Sequence, residues 1–164
     1  MALSAVAALW FLPFVLPLCL YVAYTDMAEM RITNPTVIVL ALVFVIVGVF
    51  VLPIDTYLWR LLSFFIVLVL GIVLNAAGAL GAGDAKFAAA AAPFVALGDL
   101  RLLMALFMAV LLAAALTHRA AKHTALRRLA PDWKSWEAGR KFPMGLALAP
   151  TLALYLGLAA RFGS

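Results

Sequence analysis

Seven acidic residues in a chain of 164 are the groups most able to do chemistry here. Asp26 ends a long apolar run in Tyr24-Thr25-Asp26, and Asp84 follows Gly81-Ala82-Gly83. Both stand where apolar sequence gives way to polar sequence. An ionisable group at membrane depth is costly to keep and is a functional candidate for that reason. Two carboxylates in one water-accessible pocket cannot both ionise easily, so one keeps a proton. The ionised one can then take a proton from water while the other donates to a scissile carbonyl. This is the chemistry of peptide hydrolysis, and it asks for no cofactor and no metal. The histidines, His118 and His123, match no metal-ligand spacing, and the single cysteine, Cys19, has no partner for a disulfide or a thiolate site. Gly81 and Gly83 have two readings. A backbone without Cβ lets an extended substrate approach the acid closely, and small residues also let membrane helices pack closely.

The elements that must position these acids are membrane helices. The chain is 68% hydrophobic and 12% charged, with a mean hydropathy of +1.17. A soluble domain of this length has too little interior to hide so much apolar side chain. The composition excludes a soluble globule, a disordered chain and a DNA-binding domain, so no nucleic-acid partner is expected and membrane lipid is. A span needs about 20 apolar residues. The uncharged runs Ala2–Thr25, Ile32–Ile54, Leu61–Gly83, Phe87–Gly98, Leu102–Thr117 and Phe142–Ala160 predict an all-α, polytopic protein of about six transmembrane helices. Residues 1–164 are expected to form one membrane-embedded unit with no soluble domain. The fourth run spans only if its helix begins near Ala79–Gly83, which places Asp84 inside the membrane. The first run lacks a basic start and is too long for a signal-peptide core, so it is read as a span, bent by Pro13 and Pro17.

Six spans put Arg31, Lys86, Arg119, Lys122, Arg127, Arg128, Lys134, Arg140 and Lys141 on one side. Only Arg60, Arg101 and Arg161 fall on the other, with both termini. The excess of Lys and Arg predicts that the first side is cytoplasmic and the termini are outside. Asp26, Glu29 and Asp84 share the cytoplasmic side by parity. Asp55 and Asp99 lie opposite and are expected to be dispensable. In the basic stretch His118–Lys141, Leu126, Leu129, Trp133 and Trp136 recur at near-helical spacing. An amphipathic segment on the inner leaflet would produce that pattern, but Pro131 interrupts it, which favours a topology-setting loop.

Three stretches resemble the type IV prepilin peptidase family of GxGD membrane aspartic proteases. Gly81-Ala82-Gly83-Asp84-Ala85-Lys86 resembles its GxGDxK motif. Asp26 through Ile32-Thr33-Asn34 resembles its first catalytic region, and Pro143-Met144-Gly145-Leu146-Ala147 its Pro-x-Gly-x-Ala element. Presenilin-like proteases also carry GxGD but are longer, with more spans. The resemblance implies Asp26 and Asp84 as the catalytic pair, with Gly81 and Gly83 at the substrate approach. It implies a prepilin or pseudopilin precursor peptide as partner and the bacterial plasma (inner) membrane as location, with the active site facing the cytoplasm. The first cytoplasmic loop is short and has no Cys, unlike that of the bifunctional members, which also methylate. The chain therefore resembles the short, peptidase-only members serving tight-adherence (Flp) pili, and methyltransferase activity is not expected.

Two other classes compete with an enzyme. A transporter could use Asp26 and Asp84 as ion ligands, but the two halves show no clear repeat and no acid marks a path to the far side. A non-catalytic subunit of a pilus or secretion machine would share the composition. A GxGD acid with an upstream Asp on the same side favours the enzyme. Around this pair, Lys86 is read as snorkelling to the headgroups, Glu29 as a solvated loop acid rather than part of a negative mouth, and Asn75 as an interhelical hydrogen bonder.

Overall fold

The structure, a computed structural model, describes residues 1–139 and 141–163. Arg140, counted above with the basic loop, lies outside the described residues, as does the side chain of Leu126. The helices run in the order α1 (Ala5–Glu29), α2 (Asn34–Val51), α3 (Ile54–Ala76), α4 (Ala82–Ala91), α5 (Leu100–Lys122) and α6 (Gly145–Phe162). All but α4 are long and apolar enough to cross a membrane. The protein is an all-helical polytopic membrane protein, and α4 is the exception that shapes the site.

Local chemistry sets the helix ends. Ser4 caps α1 by accepting a hydrogen bond from the Ala7 amide at 3.3 Å. Met30, in the left-handed region at φ 57°, stops it. α1 continues through Pro13 and Pro17, both on its exposed face. Pro35 opens α2, where a missing amide costs nothing. Against one another, α1 and α6 pack most extensively, and α4 lies along α3. That second contact depends on Gly71, where a Cβ would come 2.9 Å from the Ala85 Cβ. Phe11 of α1, Phe44 of α2, Tyr57 of α3 and Phe94 fill the centre. Phe94 meets Phe11 and Phe44 edge-on at 4.9 and 5.3 Å between ring centres, and Tyr57 stacks on Phe44 at 5.6 Å.

The fourth crossing differs from the expected helix. α4 begins at Ala82, inside the predicted window, but ends at Ala91 after ten residues. Pro93 lacks an amide and its ring crowds the carbonyl four residues back, so the α-helix cannot continue. The chain goes on as 3₁₀ turns at Ala92–Phe94 and Leu97–Asp99. Non-helical backbone at membrane depth survives only where protein satisfies it, and here two polar side chains do so, with Asp99 holding the second. Arg60 Nη1 donates to the Phe94 carbonyl at 3.4 Å. The Ala96 amide donates to the Tyr155 hydroxyl at 3.1 Å, which itself donates to Asp99 Oδ2 at 2.9 Å. The Asp99 carboxylate also accepts the Ala2 amide at 2.8 Å and the Leu3 amide at 3.1 Å. Asp99 is only 7% exposed. It is a structural tie between the start of the chain, the broken crossing and α6, a role in architecture that its place opposite the paired acids did not suggest.

The stretch between α5 and α6 is a loop with short 3₁₀ turns at Ala125–Leu129 and Lys134–Trp136. It is no surface-lying helix, because Trp136 is 4% exposed and is tucked against α1 and α5.

Replacing Asp99 by Ala leaves two amides and a hydroxyl without their acceptor, and should cost about 2–3 kcal/mol. Asp55→Ala, at an exposed position, should stay within about 0.5 kcal/mol. Thermal unfolding in one detergent measures both, and equal midpoints for the two variants would contradict the role given to Asp99.

Candidate active site

Asp26 sits in the last turn of α1, 5% exposed. Its Oδ2 accepts the amide of Gly145, the first residue of α6, at 2.6 Å. A first-turn amide has no partner within its own helix and points outward to an acceptor. A Cβ at position 145 would lie 3.0 Å from both the Cβ and Oδ2 of Asp26. Glycine lets α6 begin on this carboxylate without pushing it aside.

Asp84 lies in the first turn of α4, where a helix N-terminus favours negative charge. It is half-buried. Its carboxyl is pushed up to about 6, chiefly by burial and then by the charge of Asp26, against a smaller opposing pull from the Gly81 amide. Gly81 caps the helix, and a Cβ there would come 2.5 Å from Asp84 Oδ2. Gly83 faces the other way. A Cβ on it would lie 3.4 Å from the Ile32 Cβ, so this glycine seats α4 on the segment leading into α2. Lys86 strengthens the same seam, its Nζ donating to Asn34 Oδ1 at 3.1 Å. Lys86 is thus exposed, as snorkelling requires, but tied to α2.

Both carboxylates line one open cavity of about 660 Å³. Gly81, Gly83, Arg31, Lys141 and Phe142 line it as well. The structure therefore brings together Asp26, Asp84, Gly81 and Gly83 at one end of the bundle. Two neighbours stay out of the cavity wall. Glu29 pairs with Arg31 at 2.7 Å, both exposed, in keeping with a solvated acid. Asn75 donates to the Leu80 carbonyl at 2.8 Å and so closes the turn before Gly81 rather than bridging two helices. Among the described residues, no three His, Cys, Asp or Glu side chains gather as metal ligands would.

Gly145 is the site residue that sequence reasoning missed. Its motif was visible, but an amide's role depends on what faces it, and Asp26 lies 119 positions away. Water held between the carboxylates could be deprotonated by one and a bound carbonyl protonated by the other.

No curated protein and no solved structure matches the chain. A family model, described as the type IV leader peptidase family, matches residues 13–118. That stretch is well over half the chain and holds Asp26, Asp84, most of α1 and all of α2, α3 and α4. A chain so matched, with the two acids of its motifs on one cavity wall, belongs to the type IV leader peptidase family.

Proposed function

We propose that this protein is a membrane aspartic endopeptidase that removes the leader of type IV or Flp prepilins and pseudopilins. The work is done at the cytoplasmic face of the bacterial plasma membrane by Asp26 and Asp84. The observation that carries this reading is the shared cavity of two carboxylates that both lie within the family match.

The pair holds one proton. In this reading Asp84, beside the charge of Asp26, carries it, and Asp26, accepting the Gly145 amide, carries the charge. A water between them gives a proton to Asp26, and its oxygen bonds to the scissile carbonyl carbon while Asp84 protonates the carbonyl oxygen. The resulting gem-diol returns a proton to Asp84, Asp26 passes its proton to the leaving nitrogen, and the C–N bond breaks. The products are the leader's new carboxyl end and the mature chain's amine, with both carboxyls as they began. An extended precursor would meet the cavity through its main chain, with Gly81 and Gly83 on the wall. No methyl transfer is assigned to the protein.

Asp26→Asn and Asp84→Asn should each lower turnover by about a thousandfold or more, and the double variant should be scarcely worse. Asn at 26 keeps an acceptor for the Gly145 amide, so the variants should still insert and bind precursor. Cleavage of a prepilin by membranes holding each variant is the assay, and near-normal turnover by either would remove the dyad.

Activity should also decline as pH rises through an apparent pKa near 6, because Asp84 then loses the proton it must donate. The value belongs to the pair rather than to one residue. A rate that climbs steadily from pH 5 to pH 8 would reverse the roles of the two acids.

The orientation is open to direct test at the exposed residue after α5, His123. With Cys19 removed, His123→Cys should resist an impermeant thiol reagent in intact cells and react after lysis. Prompt labelling of intact cells would invert the topology.

A further inference from the structure

The loop between α5 and α6 closes an aromatic circuit around the Asp26–Gly145 hydrogen bond. His118, in the last turn of α5, is 9% exposed. It stacks on Trp136 with ring centres 5.1 Å apart and planes 15° from parallel. Phe142 meets His118 edge-on at 5.9 Å. Trp136 stacks in turn on Trp133 at 5.8 Å, and Trp133 meets Tyr24 edge-on at 6.1 Å. These are the separations and tilts that aromatic pairs prefer. The Trp136 indole is also fixed by donating to the Ala130 carbonyl at 2.8 Å.

The two ends of this array fall on the two segments that the catalytic hydrogen bond joins. Tyr24 lies just before Asp26 on α1, and Phe142 lies just before Gly145. Between Phe142 and Gly145 stands Pro143, fully buried and with its φ locked, so little freedom separates the ring from the amide. His118 pays for its place. Its Nε2 is buried with no hydrogen-bond partner among the described residues, which is unfavourable for a polar atom. What the imidazole contributes here is a flat ring rather than a donor or acceptor.

We propose that the His118–Trp136 stack is a positioning element for Asp26, which seats Phe142 and thereby sets the Gly145 amide against the carboxylate. His118 touches neither water nor scissile bond in this role. Its effect on cleavage rests on the peptidase reading, but its effect on the Gly145 amide does not.

The test has two arms, on the full-length protein in detergent or membranes. In the first, amide hydrogen exchange is followed through α6. His118→Ala should speed exchange at Gly145 by about tenfold or more, with the interior amides Leu152–Leu156 unchanged. His118→Phe, which keeps the ring and removes the unpartnered nitrogen, should match the parent. In the second, prepilin cleavage is measured. His118→Ala should lower kcat by about tenfold to a hundredfold, as small misplacements of a reacting group do, with KM within about twofold. His118→Phe should restore kcat. Should His118→Ala fail to insert, Trp136→Leu breaks the same stack and is read the same way. Unchanged Gly145 exchange in the stack-breaking variant overturns the proposal. So does loss of protection along all of α6, or a His118→Phe variant as impaired as His118→Ala. An unaltered kcat in a variant whose Gly145 amide is loosened overturns it too. A parent that cleaves no prepilin refutes the peptidase reading alone, and the exchange arm still decides the positioning role.

Discussion

Backbone amides and carbonyls cannot be left bare in lipid, and most of this structure follows from how one stretch meets that constraint. The α4 helix stops after ten residues because Pro93 cannot continue it, and about 15 Å of helix does not cross a bilayer. The rest of that crossing is irregular chain, held by Arg60, Tyr155 and Asp99 and plugged by Phe94. The polar residues at that end are thus spent on backbone. The acids at the other end also meet helix-start amides, but they do so on the wall of a cavity. Asp84 begins the short helix, at the mouth of the cavity, half-buried and next to another carboxylate.

The same economy governs α6. Its first amide is an orphan of helix geometry, and Asp26 is the acceptor it meets. One hydrogen bond therefore serves two ends, capping a helix and orienting a carboxylate. Past its middle, the helix is anchored through Tyr155 to Asp99. α6 is held at its start and past its middle by two buried acids, of which Asp26 lines the cavity and Asp99 does not.

Glycine has separate tasks at the site. Gly71 brings α3 against α4, Gly83 brings α4 against Ile32, and Gly81 and Gly145 leave room for the two carboxylates. The close-approach and helix-packing readings of the GxGD glycines are both represented, at different positions. Gly81 makes space beside the acid, while Gly83 serves the packing of α4 on the chain before α2.

The sequence by itself determined the membrane class and the helix count, and it pointed to the family and to two acids worth pairing. Each of these is a local or additive property: hydropathy over about 20 residues, the spacing of charges, and short motifs that bear a family resemblance. Only the tertiary structure decided which acid was free. Asp99 and Asp84 look alike in sequence, each following a glycine at a helix start, yet one is enclosed by amides and a tyrosine and the other opens on a cavity. It also decided the partners of Gly145, Lys86, Asn75 and Trp136, and it broke the fourth span where hydropathy alone saw a continuous helix. Hydrogen bonds and ring contacts between residues distant in sequence depend on directions in space, and a one-dimensional pattern does not hold that information.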